Sequence, residues 1–131
     1  MILDTSFIVD VLRGENNDVK NKTLELDKKF EVKAVTSITI MELWRGAMLS
    51  NAQTKEKEKI NEILDSVLIY NFTEREAKKA AEIESGLIQQ GKRIEIEDIM
   101  IASIALIRNE KILTRNIKHF QDIKGLSIES Y

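Results

Sequence analysis

Residues 1–7 read Met1-Ile2-Leu3-Asp4-Thr5-Ser6-Phe7. Three apolar residues run straight into an aspartate, two hydroxyl residues follow, and a helical apolar pattern opens at Phe7. This is the signature of a short buried strand whose first polar residue stands where the strand stops. In open parallel α/β sheets, ligands bind in the crevice beyond the carboxyl ends of the strands. A carboxylate at that place is costly to bury unless positive charge meets it. Asp4 is therefore a candidate ligand for a divalent metal ion.

Working outward, four more short apolar runs occupy residues 34–37, 67–72, 112–114 and 126–128, and helical stretches separate them. Near-continuous apolar runs, rather than alternating ones, suit a parallel sheet covered on both faces. Ser6 or Thr5 is expected to cap the first helix, which buries Phe7, Ile8, Val11 and Leu12 and ends at Gly14. Residues 16–29 predict a more polar surface helix with Val19 and Leu24 turned inward. Ser37 or Thr39 opens a helix that carries Glu42. Residues 54–65 predict a helix with Ile60, Ile63 and Leu64 on one side. Thr73 and Glu76 have capping-box spacing at the head of the next helix, which runs to Gly91. Residues 99–107 are apolar all round apart from Ser103, as a fully covered central helix requires.

The totals exclude much. At 131 residues the chain suits one domain, residues 1–131, with a real core. It has no cysteine, so disulfides and thiol chemistry are out. Its single histidine, His119, reads as a turn or surface residue, and no Gly-x-Ser-x-Gly turn exposes a serine nucleophile. No glycine-rich phosphate loop is present. No run is long enough to span a bilayer, and Asp4 interrupts the apolar start too early for a secretory signal. The expected location is the cytoplasm. What remains for catalysis is carboxylates, hydroxyls and a hard metal.

Each carboxylate has a bland reading beside the sharp one. Asp4 suits a helix N-cap. Glu42 suits a solvated helix face, although its neighbours four residues away are Ile38 and Gly46. Gly46 weakens that helix and is expected to allow close backbone approach. Asp98 suits the positive end of the central helix. However, Glu95, Glu97 and Asp98 crowd one entrance, and a cation resolves their repulsion. Asp4 and Asn116 follow the first and fourth runs, which flank the switch point of a doubly wound sheet. Glu42 and Asp98 lie on helices at the same edge. Hard oxygen donors with open positions are what Mg²⁺ or Mn²⁺ requires.

Four segments together resemble the PIN domains, specifically the VapC-type toxin ribonucleases. They are ILDTSFIVDVLRG at 2–14, SITIMELWRG at 37–46, EDIMIASIAL at 97–106 and LTRNIKHF at 113–120. They occur in the family's order and span nearly the whole chain. The resemblance implies an α/β fold with a parallel five-stranded sheet of order 3-2-1-4-5 between helices. It also implies Mg²⁺- or Mn²⁺-dependent cleavage of RNA, homodimers and a cognate VapB-type antitoxin. By position, the family's three acids fall on Asp4, Glu42 and Asp98. The fourth acid of many members has no counterpart here: Asn116 and His119 stand in that motif and Asp122 comes later.

On this reading Asp4 and Asp98 bind the ion, and Glu42 and Asn116 complete the site through water. Thr5, Ser6 and Thr114 hold the carboxylates. A net charge of −2 is unusual for a nucleic-acid protein, so local cations must hold RNA. Arg13, Arg45, Arg115 and Lys118 are the candidates. Trp44 reads as core, while Met48 and Leu49 on the same helix point to association. Two alternatives compete. An aspartyl phosphatase wants a second Asp two residues after the first, where this chain has Ser6. A catalytically weakened PIN scaffold would serve as a protein- or RNA-binding module.

Overall fold

The computed structural model describes residues 1–131. Five parallel strands form one sheet in the order β3-β2-β1-β4-β5. The strands are β1 (Ile2–Leu3), β2 (Ala34–Thr36), β3 (Leu68–Tyr70), β4 (Ile112–Leu113) and β5 (Ile128–Glu129). The order is the expected one, and each strand lies within or overlaps an apolar run of the sequence.

The strands are short, so successive residues decide which face gets which core. Ile2, Ala34 and Ile112 point into one cluster, and Leu3, Val35 and Leu113 into the other. This is the period-2 alternation of a pleated strand. On the first face pack α5 (Glu74–Gln89), α6 (Ile96–Arg108) and α7 (Ile117–Phe120). On the second pack α1 (Thr5–Arg13), α2 (Asn17–Lys28) and α4 (Gln53–Leu64). Helix α3 (Ser37–Met48) serves both cores, with Ile38 in one and Leu43 and Ala47 in the other. Helix α6 is the expected central helix: Ile99 and all five residues from Ile101 to Ala105 are buried.

Several local expectations are corrected. Neither Thr5 nor Ser6 caps α1; both lie inside its first turn, and Asp4 holds the cap position with no side-chain cap bond. Helix α3 opens at Ser37 as expected, and Thr36 supplies its cap, accepting from the Thr39 amide at 3.1 Å. Leu24 is exposed, and Leu26 takes the inward place beside Val19. A Cβ at Gly46 would meet nothing within 4 Å, so no close backbone approach explains that glycine. The Thr73–Glu76 capping box is present as expected. Trp44 is half-buried against the second core, with the Lys57 ammonium 5.4 Å from its ring centroid.

Candidate active site

Strands β1 and β4 are neighbours, and their chain continuations separate at the carboxyl edge of the sheet. The crevice between them is lined by Asp4, Thr5 and Ser6 from the start of α1, Glu42 and Arg45 from α3, Glu95, Glu97 and Asp98 from the start of α6, and Arg115, Asn116 and His119 beyond β4. Val9 is its one apolar side chain. Asp4 is fixed at both ends of its backbone. Its amide donates to the Leu113 carbonyl at 3.0 Å, and its carbonyl accepts from the Phe7 and Ile8 amides. The backbone thus sits at a helix cap while the carboxylate turns away from the helix amides. Its Oδ2 accepts from Ser6 Oγ at 2.8 Å and Thr114 Oγ1 at 2.7 Å. The residue is only 4 % exposed. Its Oδ1 has no protein donor and is not sealed from solvent, so it faces the crevice. Thr114, fully buried, also accepts from the Asn116 amide at 2.9 Å and so ties the β4 turn to Asp4.

Glu42 and Asp98 follow the same plan. Glu42 Oε1 accepts from Thr5 Oγ1 at 2.7 Å, and Asp98 Oδ2 lies 2.9 Å from His119 Nδ1. Each carboxylate spends one oxygen on the protein and leaves the other to the crevice. Burial pushes the Glu42 carboxyl above its ordinary range, and the charges of Asp4 and Glu97 add to this against Thr5 and Arg45. Asp98 rises to about 6, first through burial; His119 opposes the shift, while Asp4 and Glu42 reinforce it. The acids therefore repel one another across a partly desolvated gap.

The donor chemistry suits a hard divalent cation. No three acidic or histidine side chains converge closely enough to ligate one ion directly. Mg²⁺ does not demand that, because it keeps several waters and takes one or two carboxylates. Asp4 and Asp98 could serve directly, with Glu42 and Asn116 reaching through water.

Comparison with known proteins accords with this geometry. The PIN domain family matches residues 1–126. The chain belongs to the PIN domain family. Among curated relatives, Ribonuclease VapC2 of Rickettsia felis is 30% identical over 130 residues, covering 99% of this chain and 96% of the relative. Ribonuclease VapC3 of Methanocaldococcus jannaschii is 34% identical over 103 residues, covering 79% of this chain and 95% of the relative. A solved structure of VapBC2 from Rickettsia felis, bound to a DNA fragment from their promoter, superposes with a TM-score of 0.90 at 28% identity. It covers 99% of this chain and 97% of that one. This PIN domain therefore stands among the VapC ribonucleases.

Within the PIN domain crevice, the expected residues are sorted by geometry. Asp4, Glu42, Asp98 and Asn116 come together, with Thr5, Ser6 and Thr114 behind the carboxylates. Asp122 does not join them; it pairs with Lys92 at 3.0 Å elsewhere. Of the four cations, Arg45 and Arg115 line the crevice. Arg13 closes the far end of α1, and Lys118 is exposed outside the lining. Two residues escaped the sequence reading. His119 is exposed, as expected, but its contact with Asp98 was not foreseen; the signal was its position three residues after Asn116, one helical turn. Asp10 is 4 % exposed and binds Arg115. The signal there was a lone charge inside the apolar stretch Phe7-Ile8-Val9-Asp10-Val11-Leu12.

Proposed function

We propose that this PIN domain is the endoribonuclease toxin of a VapBC-type toxin–antitoxin pair, hydrolysing RNA phosphodiester bonds with Mg²⁺ or Mn²⁺. Residues 1–131 form the catalytic unit, acting in the cytoplasm. One observation carries the reading: Asp4, Glu42, Glu97 and Asp98 face one crevice, where burial and neighbouring negative charge raise the carboxyls of Glu42 and Asp98. Such frustration costs stability and marks functional sites.

Asp4 and Asp98 would hold the ion, with Glu42 and Asn116 reaching it through water. When bound there, such an ion would supply positive charge for the scissile phosphate and for an attacking water. Ser6, Thr114 and Thr5 hold the carboxylate oxygens in place, so the acids need not reorganise as charge develops. Arg45 and Arg115 offset phosphate charge at the crevice. Arg13 and Lys118, lying off it, belong to longer-range attraction of RNA.

A VapB-type antitoxin is the partner, by analogy with the VapBC assembly of the Rickettsia felis relative. A homodimer is supported by the exposed apolar positions Met41 and Met48 on α3 and Leu49 at its C-cap. The second reading, a scaffold that binds without cutting, is favoured by His119, which engages Asp98 Oδ2 where many family members carry an acid. Cleavage of a mixed RNA pool by the unmutated chain and by Asp4→Asn, with and without EDTA, separates the two. Undiminished cleavage in EDTA overturns the metal reading. RNA binding without any cleavage favours the scaffold.

A further inference from the structure

Arg115 follows β4 and lines the crevice with its side chain 45% exposed. One nitrogen, Nη1, donates to both oxygens of Asp10, at 2.6 and 2.7 Å. Asp10 in turn accepts from the Tyr131 hydroxyl at 2.9 Å. The Tyr131 ring stands edge-on to the buried Phe7, with centroids 4.8 Å apart and planes at 81°. Burial, and then the bond to Asp10, raises the tyrosine hydroxyl to about 12, so it remains a donor throughout the ordinary pH range. Three distant parts of the chain thus meet at the Asp10 carboxylate: helix α1, the β4 turn and Tyr131, two residues beyond β5.

The way the guanidinium is used is informative. An arginine present only to neutralise a buried carboxylate is expected to offer its fork, two nitrogens to two oxygens. Here a single nitrogen carries the pair. Nη2 and Nε donate to nothing in the protein, on a side chain that lines the crevice. The free edge of a planar guanidinium suits two phosphate oxygens. Asp10 is held on one side by Arg115 and on the other by Tyr131, so it cannot turn without breaking both contacts.

We propose that Asp10 and Tyr131 are positioning residues that hold Arg115 as a preset clamp for the RNA phosphate entering the crevice. This rests on the ribonuclease reading above. Holding one long side chain in its bound geometry removes an ordering cost from RNA binding. The clamp acts on RNA binding, so its loss raises KM and leaves kcat nearly unchanged.

Two charge-neutral variants test this. Arg115→Lys keeps a cation for Asp10 but loses the free planar edge. Tyr131→Phe removes one oxygen. Binding of a labelled oligouridine is measured by anisotropy in Mg²⁺ buffer, with Asp4→Asn added to every chain to stop turnover. KM and kcat are measured in the corresponding chains with Asp4 intact. Arg115→Lys is expected to weaken binding and raise KM about tenfold, and Tyr131→Phe about threefold, as loss or loosening of one charge-assisted contact implies. A merely structural Asp10–Arg115 pair predicts lower melting temperatures with unchanged affinity, and that result overturns the clamp. Affinity that falls in Arg115→Lys but not in Tyr131→Phe overturns the role of the tyrosine. If Arg115→Lys melts far below the unmutated chain, Tyr131→Phe decides alone, and unchanged affinity there overturns the proposal. A chain with Arg115 intact that neither binds nor cuts RNA overturns the ribonuclease reading instead.

Discussion

The sheet carries charge at two clefts, and they are built on opposite terms. The crevice beside Asp4 gathers acids with too few cations. A second cleft, lined in part by Met1, Glu25, Lys29, Glu110, Lys111 and Glu129, gathers charges that are paired. There Lys22 reaches Glu129 at 2.5 Å and Glu25 at 3.1 Å, and Lys111 approaches Glu129 at 3.5 Å. Burial alone would raise Glu110, yet the Met1 ammonium and the Tyr70 hydroxyl outweigh it and bring the carboxyl below its ordinary value. Glu129 is lowered chiefly by its bond to Lys22. Similar groups, partly buried in the same small protein, shift in opposite directions according to whether a cation faces them. One cleft contributes stability; the other gives it up to keep ligand oxygens free.

The largest expected effect is on chemistry. Asp4→Asn or Asp98→Asn should lower RNA cleavage at least about a hundredfold, and EDTA should abolish it in the unmutated chain. Full activity in either variant would remove the distinction between the clefts. Next comes the support beneath Asp4. Thr114→Val deletes the buried donor to Asp4 Oδ2 and the acceptor of the Asn116 amide. It should cost about 1–3 kcal/mol in denaturant unfolding and lower cleavage by about tenfold.

A third test compares signs. Asp98→Asn in metal-free buffer should melt at the same temperature or higher, a gain on the order of 1 kcal/mol, because it removes a frustrated charge. Added Mg²⁺ should stabilise the unmutated chain more than this variant, since ligand binding to the native state raises apparent stability. The gain has a pH signature. The folded carboxyl titrates near 6 against an ordinary 3.8, so its protonated form stabilises the fold at low pH. That contribution is lost as pH rises from about 4 to about 6, and the advantage of Asp98→Asn should grow over the same interval. A helix-capping Asp98 predicts a lower melting temperature at every pH.

The smallest effect belongs to the paired cleft. Glu129→Gln should lower stability by about 0.5–1 kcal/mol and leave cleavage unchanged. Its folded pKa is lowered, so the stability it contributes is present at neutral pH and is lost as pH falls below the ordinary glutamate value of 4.5. Melts at two pH values should therefore show the difference between Glu129→Gln and the unmutated chain shrinking in acid. The Asp98→Asn difference shrinks in acid too, but with the opposite sign.

The strand positions, the buried central helix and the placing of Asp4, Glu42, Asp98 and Asn116 at one edge were legible in local patterns, whereas the strand order came only from the resemblance of four segments to PIN domains. Apolar runs ending in a polar residue mark strand ends, and parallel strands bring those ends to one edge. The Thr73–Glu76 box was legible for the same reason: its partners lie within one turn. The competition for the first helix cap was not. Asp4, Thr5 and Ser6 can all cap; Asp4 holds the position, but its carboxylate makes no cap bond and instead accepts from Ser6 and from Thr114, 110 residues away. The pairing of Asp10 with Arg115 and Tyr131, and of Asp98 with His119, likewise spans long separations and leaves no periodic trace. Periodicity records which face of an element is buried. It does not record which polar group on another element meets a buried charge, and that choice sets the direction in which each carboxyl titrates. The sequence by itself determined the sheet and the edge where the acids collect; only the tertiary structure decided which of those acids are satisfied.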